Sequence, residues 1–191
     1  SSVNSFDHIL VEGNSAAANA DPLVYDMMAA FYTACSSFIA QNFGARKKKR
    51  ILQTYLICLF YSFITSLVLG VGIYLARYPF LYLFTSDKAV VEAGITRLSI
   101  MALSYSASAF MDASIAASRG LGKTAVPTFV VVMGSCVFRI IWIYTIFAYF
   151  HTIQSLYILY VFSWGITAIA ENIYFFHVYR HTLTGKTESH F

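Results

Sequence analysis

Asp112 is the one carboxylate in an uncharged run from Leu98 to Ser118. At 100° per residue, Met101, Tyr105, Ser108, Asp112, Ala116 and Arg119 fall within about 40° of one line on a helix. A lone acid on a polar stripe of an apolar helix is suited to holding a cation or carrying a proton. Asp26 heads a second stripe, with Ala30, Thr33, Ser37 and Gln41 within about 40° of one line and Met28, Phe31, Cys35 and Phe38 on the other side. Two further charges, Arg139 and Glu171, interrupt apolar runs. From the helix ends, 1.5 Å per residue places Asp112, Glu171 and Arg139 at depths of about 10, 13 and 18 Å, so Arg139 and Glu171 are expected to form a structural ion pair. Asp7 and Glu12 are possible cavity acids, with His8 on the same face as Glu12 if that stretch is helical. His177 and His181 have i, i+4 spacing beside Arg180 and read as interfacial, so no metal site is expected.

These residues need helices that can carry them. The chain has 191 residues, 58% hydrophobic and only 12% charged. A soluble domain carries about 25% charged residues, so this composition belongs to a membrane protein. Nucleic-acid binding is excluded on the same ground. The three cysteines, Cys35, Cys58 and Cys136, sit apart in apolar runs and read as small core residues. The chain begins without Met, as a piece of a longer product would.

Six segments are expected to span, over residues 1–19, 22–43, 51–77, 88–118, 126–150 and 153–180, together a lobe covering 1–183 with a polar cytoplasmic tail at 184–191. The first is polar for a lipid-exposed span and suits a loop or a shielded helix facing water. A turn is expected at Asn19-Ala20-Asp21-Pro22, with Asp21 as N-cap and Pro22 at the first helical position. Pro79 interrupts the third segment, and Thr85-Ser86-Asp87 forms a turn able to cap the fourth. The run Arg46-Lys47-Lys48-Lys49-Arg50 is read as cytoplasmic under the positive-inside rule. With it, nine of the thirteen Lys and Arg residues fall on the inner side: that run, Arg119, Lys123, Arg180 and Lys186. Arg77, Lys88 and Arg97 fall outside. Loop 44–50 and the carboxy terminus are thus cytoplasmic in this layout.

Two motifs carry a family resemblance. Phe38-Ile39-Ala40-Gln41-Asn42-Phe43-Gly44-Ala45 followed by Arg50-Ile51 resembles the end of a helix in multidrug and toxic-compound extrusion (MATE) transporters. Ser118-Arg119-Gly120-Leu121-Gly122-Lys123-Thr124 with Pro127 resembles an inner loop of the same family. The opening SSVNSF and the stretch Gly13 to Asn19 are similar to the seventh helix of its bacterial members. The resemblance implies an all-α integral membrane six-helix bundle, helices seven to twelve, forming one lobe of a two-lobe MATE-type transporter.

It further implies secondary active export of small organic cations or amphipathic drugs in exchange for sodium ions or protons. The implied setting is the bacterial inner membrane, with an amino-terminal lobe of the same polypeptide and membrane lipid as partners. No cofactor beyond the coupling sodium ion or proton is implied. Acids of the carboxy-terminal lobe commonly take part in the family, which makes Asp112 the expected coupling site. Asp26, Thr33, Ser37, Gln41, Tyr105 and Ser108 are its expected companions along the cavity. Two other readings remain open: a lipid-linked oligosaccharide flippase or other carrier of the same architecture, and a non-transport membrane subunit or intramembrane enzyme. The flippase calls for a strongly basic cavity, and the enzyme for a convergent nucleophile or metal set.

Overall fold

A computed structural model describes residues 8–150 and 153–182 of the chain. Apolar content and length set the architecture. Among the described residues, four helical units are long and apolar enough to cross a bilayer: His8–Gly44, Lys48–Leu75, Ala125–Ile146 and Tyr157–His181. A bent pair, Lys88–Ala102 and Ser104–Gly120, makes a fifth. The elements run α1 (His8–Ala18), α2 (Ala20–Gly44), α3 (Lys48–Leu75), α4 (Arg77–Tyr82) and α5 (Lys88–Gly120). Then come α6 (Ala125–Val132), α7 (Phe138–Trp142), α8 (Ala148–Phe150) and α9 (Ile153–His181), with α6, α7 and α8 joined by π-helical turns at Met133–Val137 and Ile143–Phe147.

The start differs from expectation. The turn expected at 19–22 does not separate two spans, because α1 and α2 form one 37-residue helical unit. Asn19 keeps near-helical dihedrals (φ −66°, ψ −15°), and Pro22 falls in the first turn of α2, where a missing N–H costs nothing. Asp21 is therefore not an N-cap. At the other expected breaks the chemistry holds. Asp87 accepts a hydrogen bond from the Ala89 N–H at 2.8 Å and caps α5. Pro79 lies in the first turn of the short α4.

The loop after α5 is a helix stop. Gly122 takes φ +76°, and the Lys123 N–H returns to the Ser118 carbonyl at 3.0 Å, satisfying a carbonyl that the helix end leaves open. The turn after α2 uses the same return, Lys47 N–H to the Asn42 carbonyl at 2.9 Å, but places Arg46 at φ +55°.

α5 is the hub, packing on α1, α2, α3 and α9. Its Ala and Ser residues let neighbours approach. Near the basic-loop end, Cys35, Ile39, Ile51, Tyr55, Ala113, Ala116 and Phe175 form a buried cluster; at mid-height Val24, Met28, Met101, Tyr105 and Ala109 form another. α5 and α9 both run toward the basic-loop end, and the Tyr55 hydroxyl ties them: it donates to Asn172 Oδ1 at 2.6 Å and lies 3.1 Å from Ser114 Oγ.

α5 bends by 41° between Ala102 and Ser104. At the bend the Ser104 hydroxyl donates to the Ile100 carbonyl at 2.7 Å, a back-bond of the kind that bends helices. Gly70 of α3 packs directly on the Ala102 carbonyl, leaving no room for a Cβ.

Candidate functional site, a groove between two polar-striped helices

The α5 stripe read from the sequence lines a groove, and the α2 stripe meets that groove at Asp26 and Thr33. On α2, Asp26, Ala30, Thr33, Ser37 and Gln41 are all exposed, while Cys35 on the opposite side is buried. Across from them, α5 contributes Met101, Tyr105, Ser108 and Asp112 to a cavity of about 450 Å³, which Asp21, Asp26 and Arg97 also line. A second cavity of about 350 Å³ adjoins it, with Tyr25, Met28, Met111 and Asp112 common to both. Thr33 and Arg119 line the second. Asp112 thus stands midway along a continuous groove. Ser37 and Gln41 share the exposed face but lie outside both cavities.

The groove's charges divide into a paired set and an unpaired set. At one end Asp21 accepts two hydrogen bonds, from Arg97 Nη2 at 2.6 Å and from the Tyr105 hydroxyl at 2.5 Å. Arg97 lies above the α5 bend and Tyr105 below it, so one carboxylate clamps both limbs. The arrangement is tight, since the Arg97 side chain is only 8% exposed. Asp112, half-buried, and Asp26, exposed, have no ion-pair partner among the described residues. Ser108 and Thr33 donate back to the carbonyls of Tyr105 (2.8 Å) and Ala29 (2.9 Å), leaving hydroxyl oxygens that still accept.

The remaining wall is aromatic and sulfur-rich. Trp164 lies with its ring 6.5 Å from Tyr105 and 6.0 Å from Tyr160, and Tyr160 and Trp164 both border the larger cavity. Met28, Met101 and Met111 add polarisable, adaptable surface. Two carboxylates without an ion-pair partner among the described residues thus share a cavity lining with aromatic rings and thioethers, groups able to supply charge, cation–π contact and adaptable apolar surface.

The MatE family model matches residues 3–145. The chain belongs to the MatE family. The whole fold agrees: a crystal structure of the Vibrio cholerae MATE transporter VcmN in the bent form superposes with a TM-score of 0.80 at 20% identity. The match covers 95% of this chain and 41% of that one, so the chain spans less than half the transporter's length. No curated protein matches the sequence significantly. The MatE chain is a multi-pass membrane protein with the all-helical fold of one lobe.

Several expected contacts of this MatE chain are corrected by the geometry. Arg139 and Glu171 do not pair. Arg139 Nε donates to Ser163 Oγ at 3.3 Å and its guanidinium lies 4.4 Å from the centre of the Tyr160 ring. Ser163 and Glu171 are eight residues apart on α9, about 12 Å along the axis, so the depth argument closed a gap that the helix leaves open. Glu171 is fully buried and neither of its oxygens has a hydrogen-bond partner. Glu12 lines a separate depression with Ser15, Asn19 and Thr85, where it pairs with exposed His8 at 3.3 Å. Asp7 lies outside the described residues. The cysteines are not all core residues: Cys35 is buried, its Sγ donating to the Ala113 carbonyl at 3.8 Å, Cys58 is partly buried against the same cluster, and Cys136 is exposed.

The sequence reading missed Asp21, Arg97, Tyr160 and Trp164. A signal existed for one of them: Arg97 sits one turn before Met101, about 60° from the centre of the α5 stripe. Tyr160 and Trp164 have i, i+4 spacing, yet nothing in an apolar helix says which face meets a groove.

Proposed function

We propose that this MatE chain is one lobe of a secondary active antiporter that exports cationic or amphipathic organic compounds in exchange for sodium ions or protons. One observation carries the reading: the groove holds two carboxylates without ion-pair partners, Asp26 and Asp112, against the aromatic and methionine wall. A carboxylate in a membrane-embedded groove is costly when bare, roughly 2.5–3.5 kcal/mol on insertion scales. It is satisfied either by an organic cation or by the coupling ion. Release of one then favours entry of the other, which is the exchange an antiporter performs.

Asp112 is the coupling site in this scheme, and Asp26 attracts cations at the groove's lip. Thr33, Tyr105 and Ser108 shape the wall; Ser37 and Gln41 extend the polar face toward the basic-loop end. The open side of the groove is completed by the second lobe of the polypeptide, and rocking of the two lobes exposes the groove to either side. Loop 44–50 faces the cytoplasm of a bacterial inner membrane, as the nine-to-three charge bias supports. The unpaired acids count against a flippase of lipid-linked oligosaccharides.

The test is drug efflux by the full-length protein with Asp112→Asn. Export should fall at least about tenfold, the effect of losing one charge-assisted contact of about 1.5 kcal/mol or more. Export at the unaltered rate removes Asp112 from the mechanism.

A further inference from the structure

Glu171 lines neither groove cavity and takes no part in the scheme above. It lies inside the span Tyr157–His181, is fully buried, and neither of its carboxyl oxygens has a hydrogen-bond partner among the described residues. A carboxyl in a span is retained at a cost, and normally has a partner or a task.

Tyr55 fixes its level. That hydroxyl bonds Asn172 on α9 and lies 3.1 Å from Ser114 Oγ on α5, which sets those two residues side by side on helices that run the same way. Arg119 is five residues past Ser114 and Glu171 one before Asn172, an axial gap of about 9 Å that two long side chains can bridge. Arg119 is the charged group whose field reaches Glu171; among the described residues no other charge acts on it. Yet Arg119 is turned elsewhere. Its Nη2 donates to Thr128 Oγ1 at 3.4 Å, its guanidinium stands 5.8 Å from the centre of the Tyr32 ring, and it lines the second cavity of the groove. The other elements packed on α9 offer no partner. α6 has no titratable residue, the π-helical turns carry exposed Cys136 and exposed Tyr144, and Arg139 is held by Ser163 and Tyr160. On α5, Asp112 faces the groove; on α3, the Tyr55 hydroxyl is committed to Asn172. Within α9 the nearest titratable groups are Tyr174 and exposed His177, one and two turns on.

We infer that Glu171 is a second proton-binding site of the transport cycle, carrying its proton in this conformation and, once ionised, captured by Arg119 turning away from the groove. The proton is the ligand that this seat fits. A hard metal cation needs a shell of several oxygen ligands, and no group hydrogen-bonds to either oxygen here; a proton needs only the carboxyl itself. A buried carboxylate with neither solvent nor partner is the species that burial disfavours, so the proton stays until Arg119 arrives. Arg119 lines the cavity and acts on Glu171, and so connects the buried acid to solvent. The step balances: the Glu171 O–H breaks, its proton passes to water entering the cavity, and the guanidinium exchanges Thr128 for the carboxylate. Reprotonation reverses it. The inference rests on the transport reading above, adds an acid outside the groove to Asp112, and assigns the coupling ion.

The experiment uses the full-length protein in liposomes with ethidium as the organic cation, in two modes: transport driven by a pH gradient in sodium-free buffer, and one-for-one exchange of ethidium with no gradient. Glu171→Gln, which cannot ionise, should lose pH-driven transport at least about fivefold, the low end of coupling between two ligands, and keep exchange within about twofold. Exchange needs no proton to leave, whereas loss of the groove acid in Asp112→Asn should lower both modes. Arg119→Gln should lower pH-driven transport likewise, and an unaltered rate overturns the capture step. Glu171→Gln that changes neither mode, or that lowers both with Tm within about 2 °C of wild type, overturns the assignment. If both modes fall together with Tm, Glu171→Asp decides. Transport restored with a displaced pH midpoint supports the site, because a shorter acid titrates differently; an unmoved midpoint or no restoration overturns it. Wild-type protein driven by a sodium gradient but not by a pH gradient overturns the proton assignment alone. Wild-type protein that moves ethidium in neither mode and under neither gradient overturns the transport reading beneath it.

Discussion

Replacing Asp21 by alanine should be among the most destabilising single changes in the groove. Asp21 accepts Arg97 Nη2 at 2.6 Å and the Tyr105 hydroxyl at 2.5 Å, and the Arg97 side chain is 8% exposed. Removing the carboxylate strands a buried cation whose Nη1 already has no partner. Breaking a buried pair costs about 3–5 kcal/mol. Asp21 itself is 37% exposed, so water recovers part of the loss and the lower end applies, about 3 kcal/mol. For chains of about 150–250 residues each kcal/mol moves Tm by roughly 2–4 °C, giving a fall of about 6–12 °C in the thermal unfolding of detergent-solubilised protein. The double variant Asp21→Ala with Arg97→Met removes the stranded charge and should regain most of that fall, since apolar replacement of a buried pair is often neutral or stabilising. Tyr105→Phe alone should cost about 1.5 kcal/mol or more, the worth of a hydrogen bond to a charged acceptor. A single variant within 2 °C of wild type, or a double variant no more stable than the single, would refute the clamp.

Gly70→Ala should destabilise by more than about 3 kcal/mol because a Cβ would strike the Ala102 carbonyl, whereas Gly72→Ala, with open space around it, should be neutral or slightly stabilising; paired melting curves check this. Glu171→Met should hold stability or raise it by up to about 3 kcal/mol, measured as Tm, because it removes a buried carboxyl with no hydrogen-bond partner; a lower Tm would show that Glu171 is engaged. Arg46→Gly should raise stability by about 1 kcal/mol by relieving a left-handed backbone, measured as Tm, and a fall would discount that strain.

The sequence carried the fold because membrane helices declare themselves by run length, and the stripes on α2 and α5 because a period of 3.6 is visible wherever polar residues interrupt apolar ones. Asp21-Pro22 misled for a physical reason. The pair has the chemistry of a helix start, yet Pro is tolerated within a first turn, and the Asp side chain is drawn off by Arg97 and Tyr105, which lie 76 and 84 residues away. Such a contact has no local trace. Arg97 was read among the outer charges because hydropathy counts residues, not burial. The Arg139–Glu171 expectation compared heights along two helices and ignored where each neighbour's side chains would lead; Ser163 and Tyr160, about two and three turns nearer the other end, took the guanidinium instead.

The two π-helical turns flanking Phe138–Trp142 bear on how Arg139 can be aimed. A π-turn is a helix holding one residue more than its pitch requires, and such turns concentrate at functional sites. With slack above and below, passing the extra residue from one side of the five-residue piece to the other would rotate the piece by about 100°, one residue's worth of helix, while both flanking segments stay in place. A rigid span could turn that guanidinium only by turning whole; this one has a bearing at each end of the part that carries it.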